Sequence, residues 1–310
     1  MEFLYFLESI RVPILNELML LVTLLGEETA FLVTALIVFW CVDKRKGYLL
    51  IVVGFMGTML NQTMKLVCRI PRPWVRDPSF TILEQAKEAA AGYSFPSGHS
   101  QSAVGTFGSI AATTRNKVVR FVCCLICILV PFSRMYIGVH TPADVLVGSG
   151  MAVALIFLLR KPMLKGNENT CNWILGFLFL MAVAQILYVE FWPFPENLDP
   201  HNLQSGTKNA YTMLGSVLGI MVVMPLEKRY VSFSTGGAWY IQILKILGGL
   251  ILVLAVKEGL RGPLDALFAG HLISRAVRYF AIVVVAASLP PPEEPASILI
   301  IAPTAIIVPS

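Results

Sequence analysis

A polytopic, all-α bundle of about nine membrane spans is the fold class that this chain predicts, on three observations. Hydrophobic residues make up 56% of its 310 residues and charged ones only 14%, against about 25% charged in a soluble domain. The apolar residues gather in runs of roughly 17 to 25, the length that crosses a bilayer as helix. Lys and Arg fall in short clusters between those runs, so the net charge of +5 reports orientation and excludes a nucleic-acid surface.

Taken in order, the runs lie near residues 20 to 42, 47 to 64, 98 to 114, 118 to 134, 142 to 160, 172 to 190, 206 to 225, 238 to 257 and 264 to 287. Gly26-Glu27-Glu28 interrupts the first of them, with an interfacial helix plus a re-entrant segment over residues 1 to 25 as the alternative. The acidic start Met1-Glu2 gives no basic n-region, so a cleavable signal peptide is not expected. Gly215 and Gly219 form a small-xxx-small pair suited to close helix packing. The Trp192-Pro193-Phe194-Pro195 stretch reads as an interfacial anchor or a lid. Beyond residue 287 the prolines from Pro290 to Pro295 break any helix, and residues 288 to 310 read as a short cytoplasmic tail. Six cysteines show no metal or redox spacing, and Cys123, Cys124 and Cys127 sit together in an apolar run.

Alternation of the spans places Lys44-Arg45-Lys46, the Arg115 to Arg120 cluster, Arg160-Lys161 with Lys165, and Lys228-Arg229 on one side, which should be cytoplasmic. The opposite side then carries residues 65 to 97, the 134 to 142 turn, the Trp192 to Ser205 loop and the 258 to 263 turn. Lys65, Arg69, Arg72 and Arg76 defy the charge rule there, and phosphate binding would explain their retention.

Three segments on that side hold the groups that phosphate ester cleavage needs. Lys65 is followed after six residues by Arg72-Pro73; Pro96-Ser97-Gly98-His99 comes next; Ser133-Arg134 is followed after five residues by His140 and after three more by Asp144. Two histidines supply a nucleophile and a proton donor. Lys65, Arg72 and Arg134 supply fixed positive charge, two of them as planar guanidinium forks. Ser97 and Gly98 open an apolar helical run whose free N–H groups can receive an anion. Thr141-Pro142 reads as an N-cap and first helical position, so Asp144 lies in the first turn and can reach back to His140. A carboxylate there fixes the tautomer and stabilises the imidazolium. Ser133 is read as support for Arg134 and the turn.

This three-part signature resembles that of the type 2 phosphatidic acid phosphatase superfamily. The resemblance implies that His140 attacks phosphorus and becomes phosphorylated, and that His99 protonates the departing alcohol. It implies a membrane-embedded phosphatase over residues 1 to 287, with segments 65–73, 96–99 and 133–144 forming the site. The substrate expected is a lipid phosphate or prenyl pyrophosphate, with a soluble sugar phosphate or a phosphotransfer reaction as alternatives. A transporter or scaffold is disfavoured, because no signature residue is missing. The many-span plan is similar to the glucose-6-phosphatase and sphingosine-phosphate phosphatase branches. No cofactor is expected, and the lack of a carboxylate or His/Cys cluster on that side predicts metal-independent catalysis. Short connectors favour a bacterial plasma membrane with the site outward, or the lumenal face of the endoplasmic reticulum in a eukaryote.

Outside the signature, His271, Arg275 and Arg278 recur at i, i+4 and i+7. This pattern predicts one face of the last span, lining either the substrate or an internal ion pair.

Overall fold

The computed structural model describes residues 1–310 except 88, 89, 91, 196, 197, 199, 232 and 289–310; all of the expected tail except Ser288 therefore lies outside the described residues. Those residues fold as helices, with no strand among them. In order they are α1 (Glu2–Ser9), α2 (Pro13–Leu24), α3 (Glu28–Cys41), α4 (Lys44–Cys68), α5 (Pro73–Arg76), α6 (Gly98–Thr113) and α7 (Lys117–Tyr136). Then follow α8 (Pro142–Lys165), α9 (Glu168–Phe191), α10 (Pro200–Leu226), α11 (Trp239–Gly259), α12 (Arg261–Leu267) and α13 (Ile273–Ser288).

Six helical segments are long and apolar enough to cross a membrane, or up to seven if the bent pair α2 and α3 is one span. The difference from nine has local causes. The first expected run is broken by a 52° bend between α2 and α3, at the Gly26-Glu27 interruption. The last is cut after Leu267, so that α12 and α13 are separate and α13 has only 16 residues. Helix α6 also has 16 residues and spans about 24 Å. It is rich in Gly, Ser and Thr because it packs against α4, α7 and α8 rather than against lipid.

The main apolar core joins α3, α4, α8, α9 and α10, with Phe39 stacked edge-on against Tyr48 and Phe233. Helix α10 lies on α13, and the small-xxx-small pair accounts for it: a Cβ on Gly215 would stand 2.0 Å from the Ala276 carbonyl oxygen. A side chain there would push the helices apart.

Helix α4 carries Lys44 at one end and Lys65 near the other, and α8 carries Asp144 at its start and Lys165 at its end. The basic connectors and the signature thus occupy opposite ends of the bundle, about 30 Å apart along α4. At the basic end Lys44 pairs with Glu227, and Lys228 with Glu168 at 2.7 Å. At the signature end α1 and the turn after it clasp the loop after α5: Tyr5 Oη donates to Asp77 Oδ2 at 2.8 Å, and Arg11 Nη1 donates to the Thr81 carbonyl at 2.9 Å.

Candidate active site

Each signature residue sits where a helix begins or ends. Helix α4 stops at Arg69, a left-handed cap whose N–H donates to the Lys65 carbonyl at 3.0 Å, and the chain then crosses to Arg72, with Pro73 as the first residue of α5. Helix α7 ends past Arg134, and a turn through Gly138, at φ 91°, delivers His140. The φ value suits glycine alone at low cost. Thr141 is the expected N-cap of α8, and with Asp144 it closes a capping box that was not expected: the Asp144 N–H donates to Thr141 Oγ1 at 3.3 Å, and the Thr141 N–H donates to Asp144 Oδ2 at 2.7 Å.

His140 is buried to 1% exposure, with Asp144 at 2% and Arg72 at 5%. Its Nδ1 lies 3.5 Å from Asp144 Oδ2, and its Nε2 lies 2.9 Å from Arg72 Nη1. A guanidinium has only donors, so Nε2 is the acceptor and the ring proton sits on Nδ1, facing Asp144. The lone pair of Nε2 is thereby turned toward the cationic side chains. Arg72 is itself fixed by donating to the carbonyls of Gly92 and Val139, each at 2.9 Å. Burial first, and then the fields of Arg72, Arg134 and Lys65, hold the His140 pKa well below the ordinary range. The imidazole is therefore neutral near pH 7, the form in which one ring nitrogen keeps a free lone pair.

Arg134 is fully buried, and its Nη1 donates to Thr23 Oγ1 at 2.7 Å. Its Nε and Nη2 have no partner among the described residues, leaving two donors for an anion. Ser97 accepts from the Ser100 N–H at 3.3 Å and from Ser100 Oγ at 2.9 Å. Its oxygen thus serves first as the N-cap of α6, and its own hydrogen remains for another acceptor. The Ser97 N–H donates to the Asp144 carbonyl at 2.9 Å, which joins the second and third segments. Gly148 permits that junction, since a Cβ there would lie 2.5 Å from the Ser97 carbonyl oxygen. Gly98 and the half-buried His99 face a cavity of about 390 Å³ between α3, α4, α6, α10 and α13.

Ser94 escaped the sequence reading. Its hydroxyl donates to Asp144 Oδ2 at 2.6 Å and lies 3.4 Å from His140 Nδ1. It precedes Pro96 by two residues in a loop, and no spacing rule marks it. Thr23 was equally silent. Asn61, which donates to the Pro96 carbonyl at 3.4 Å, did carry a signal, one turn before Lys65 on the same helix.

The outlying basic triplet does not form one helical face. His271 precedes α13 and is exposed, its ring 6.0 Å from that of Tyr211. Arg275 Nε donates to Thr212 Oγ1 at 2.6 Å, and Arg278 is buried. Among the described residues no group of three or more His, Cys, Asp or Glu could hold a metal ion.

The family model described as PAP2 superfamily matches residues 45–166, and a second, the transmembrane extension of PAP2 superfamily phosphatases, matches residues 211–292. Phosphatidylglycerophosphatase B of Bacillus subtilis is 31% identical over 166 residues, covering 49% of this chain and 76% of that protein. The chain belongs to the PAP2 superfamily. It is a membrane phosphatase of the phosphoric ester or pyrophosphate hydrolase class. Undecaprenyl-diphosphatase BcrC of Bacillus subtilis is 32% identical over 133 residues, 43% of this chain and 66% of that protein. Human sphingosine-1-phosphate phosphatase 2 is 28% identical over 144 residues, 44% of this chain and 35% of that protein. No solved structure matches the chain at a comparable level. All three signature segments fall inside the stretch matched by the PAP2 model, and the end of α10 from residue 211 with α11, α12 and α13 belongs to the extension.

Proposed function

We propose that this PAP2 phosphatase cleaves a lipid phosphate or prenyl pyrophosphate through a phosphohistidine on His140, without a metal, at the non-cytoplasmic face of the membrane. The observation that carries the mechanism is the buried His140, with Asp144 at Nδ1 and a guanidinium at Nε2.

Arg72 gives up Nε2 to bind a phosphate oxygen, and Arg134 adds its two unpartnered donors, with Lys65 as a point charge. Each such donor aimed at the charge of the transition state is worth about 3 kcal/mol. Nε2 then forms a bond to phosphorus as the bond to the leaving oxygen breaks, and that oxygen takes a proton from His99, which is protonated once the bound phosphate offsets the surrounding cationic charge. Asp144 stabilises the resulting charge on the ring. Water next attacks the phosphohistidine, losing its proton to His99, and inorganic phosphate leaves. Three cationic side chains cover the charge that a metal would otherwise neutralise.

An amphiphilic substrate fits a site opening at one end of a helical bundle, and the named relatives act on phosphatidylglycerophosphate, undecaprenyl diphosphate and sphingosine-1-phosphate. The basic connectors at the other end support an outward or lumenal site; a bacterial plasma membrane is the setting we favour.

Acid-labile, base-stable labelling from a radioactive lipid phosphate, quenched in the steady state, tests the intermediate. Label should appear on wild-type protein and be absent from His140→Ala. Label that persists in His140→Ala would move the nucleophile elsewhere.

A further inference from the structure

Ser94 lies outside all three signature segments, in the loop that leads to the second, and it is fully buried. Its N–H donates to the Ile70 carbonyl at 2.8 Å, and Arg72 Nε donates to the Gly92 carbonyl at 2.9 Å. Farther along the same loop the Ser97 N–H donates to the Asp144 carbonyl at 2.9 Å. The loop is thus pinned to the approach to α5 at one end and to the first turn of α8 at the other, and Ser94 Oγ is set against both His140 and Asp144.

The two ends of this cluster fix the direction of every hydrogen bond in it. Arg72 can only donate, so His140 Nε2 accepts at 2.9 Å and the ring proton is on Nδ1. The Asp144 carboxylate can only accept, so the Ser94 hydroxyl spends its one hydrogen on Oδ2 at 2.6 Å. Only lone pairs then remain on Ser94 Oγ, and Nδ1–H lies 3.4 Å from them. The direct path from Nδ1 to Asp144 Oδ2 is no shorter, at 3.5 Å, and that oxygen already takes the Ser94 hydroxyl and the Thr141 N–H. We infer that Ser94 is a positioning residue for phosphoryl transfer, its hydroxyl coupling Asp144 to His140 in a chain in which Arg72, His140 and Ser94 each donate to the next and Asp144 accepts. The assignment rests on His140 as the nucleophile proposed above.

Such a chain is poised for charge that develops on the ring. As Nε2 bonds to phosphorus, Arg72 releases it and the imidazole becomes cationic, with Nδ1–H as its one ring donor. No proton moves along the chain: Nδ1 keeps its hydrogen, and Ser94 keeps its own on Asp144, which holds the lone pairs of Oγ toward the ring. A hydrogen bond from a charged donor is shorter and stronger than one from a neutral donor. The 3.4 Å contact should therefore tighten as the charge appears. A contact that strengthens only then lowers the barrier and leaves ground-state binding unchanged. Ser94, His140 and Asp144 are each exposed by 2% or less, so bulk water does not reach them to do the same work.

Detergent-purified full-length protein should be assayed on p-nitrophenyl phosphate as wild type, Ser94→Ala, Asp144→Ala and the double variant, with inorganic phosphate as a competitive inhibitor. Ser94→Ala should lower kcat/KM by about ten- to a hundredfold, the worth of a hydrogen bond to a charged group. Its inhibition constant for phosphate should stay within about threefold of wild type, because Lys65, Arg72 and Arg134 are untouched. In the Asp144→Ala background the same substitution should cost about threefold or less, since a hydroxyl with no carboxylate to take its hydrogen is no longer aimed at Nδ1. If Ser94→Ala does not fold, Ser94→Cys, whose thiol fills the site but is a weak donor and acceptor, should show the same pattern. An equal loss in both backgrounds, phosphate binding weakened as much as kcat/KM falls, or an unchanged kcat/KM would each overturn the role of Ser94 while leaving His140 as the nucleophile. Wild-type protein that takes no label on His140 would overturn the nucleophile and this inference with it.

Discussion

In the part of the bundle that carries the signature, buried charge is held on several sides. His140 sits between Arg72 and Asp144, and Asp144 takes hydrogen bonds from Ser94 and Thr141. In the extension, Arg278 is about as buried as Arg72, yet its Nε has no partner among the described residues, while His271 lies exposed against Tyr211. Helix α11 with α12 has only 11% of its most apolar window buried, which is the profile of a helix facing lipid. A fixed, mutually oriented charge network does chemistry, because its donors need no rearrangement when the transition state forms. The extension offers instead an apolar wall with a few polar groups, none of them held in such a network among the described residues.

The largest effects should come from the centre of the network. His140→Ala should abolish phosphate release, whereas Asp144→Asn should retain a residual rate roughly 10⁴-fold below wild type, since it loses orientation and imidazolium stabilisation but keeps the nucleophile. Near-normal turnover by a folded His140→Ala protein would remove the centre from the comparison altogether.

His99→Ala should then separate substrates. On an alkyl phosphate, whose alkoxide leaves poorly, the loss should be about 10²- to 10⁴-fold; on p-nitrophenyl phosphate it should be much smaller, and phosphohistidine should accumulate. Equal losses on both would make His99 a phosphate-binding group rather than the acid.

The catalytic half was legible in the sequence to the extent that its parts are local. Thr141 and Pro142 predict a helix start with Asp144 in its first turn because helix starts obey short-range rules, and the structure has it. Contacts closed by the fold were not legible. Ser94 reaches Asp144 across 50 positions and Thr23 reaches Arg134 across 111, and a serine or threonine carries no mark of such a partner. Hydropathy likewise shows that residues 264 to 287 are apolar without showing the break after Leu267, and a span count based on it inherits that blindness. For the same reason the i, i+4, i+7 spacing of His271, Arg275 and Arg278 implied a common face that the late start of α13 at Ile273 denies to His271.

The pH profile sharpens the contrast within the network itself. In the proposed mechanism His140 must be neutral to attack, and its pKa is held well below about 6.5 by burial and by Arg72, Arg134 and Lys65. The acid limb of kcat/KM should therefore fall well under pH 6.5. Arg72→Gln removes one positive charge, which makes the imidazolium less costly and raises the His140 pKa, so the acid limb should shift upward as the rate drops. An unmoved limb would assign it to another group.

The smallest effect should come from the extension, and it is the one that most directly tests the division of labour. Arg278→Met exchanges a buried guanidinium with an unpartnered Nε for an apolar side chain of similar length. Such replacements are neutral or stabilising when the charge lacks full compensation, so the unfolding midpoint in detergent should hold or rise, and kcat/KM on p-nitrophenyl phosphate should stay within about twofold. Arg275 is a different case, because its Nε already donates to Thr212, and its loss would disturb the cavity wall. A tenfold or greater fall in p-nitrophenyl phosphate turnover in Arg278→Met, with the midpoint unchanged, would mean that a charge in the extension acts on the reacting phosphate. The catalytic apparatus would then extend into the helices of the extension, beyond the network that holds the signature.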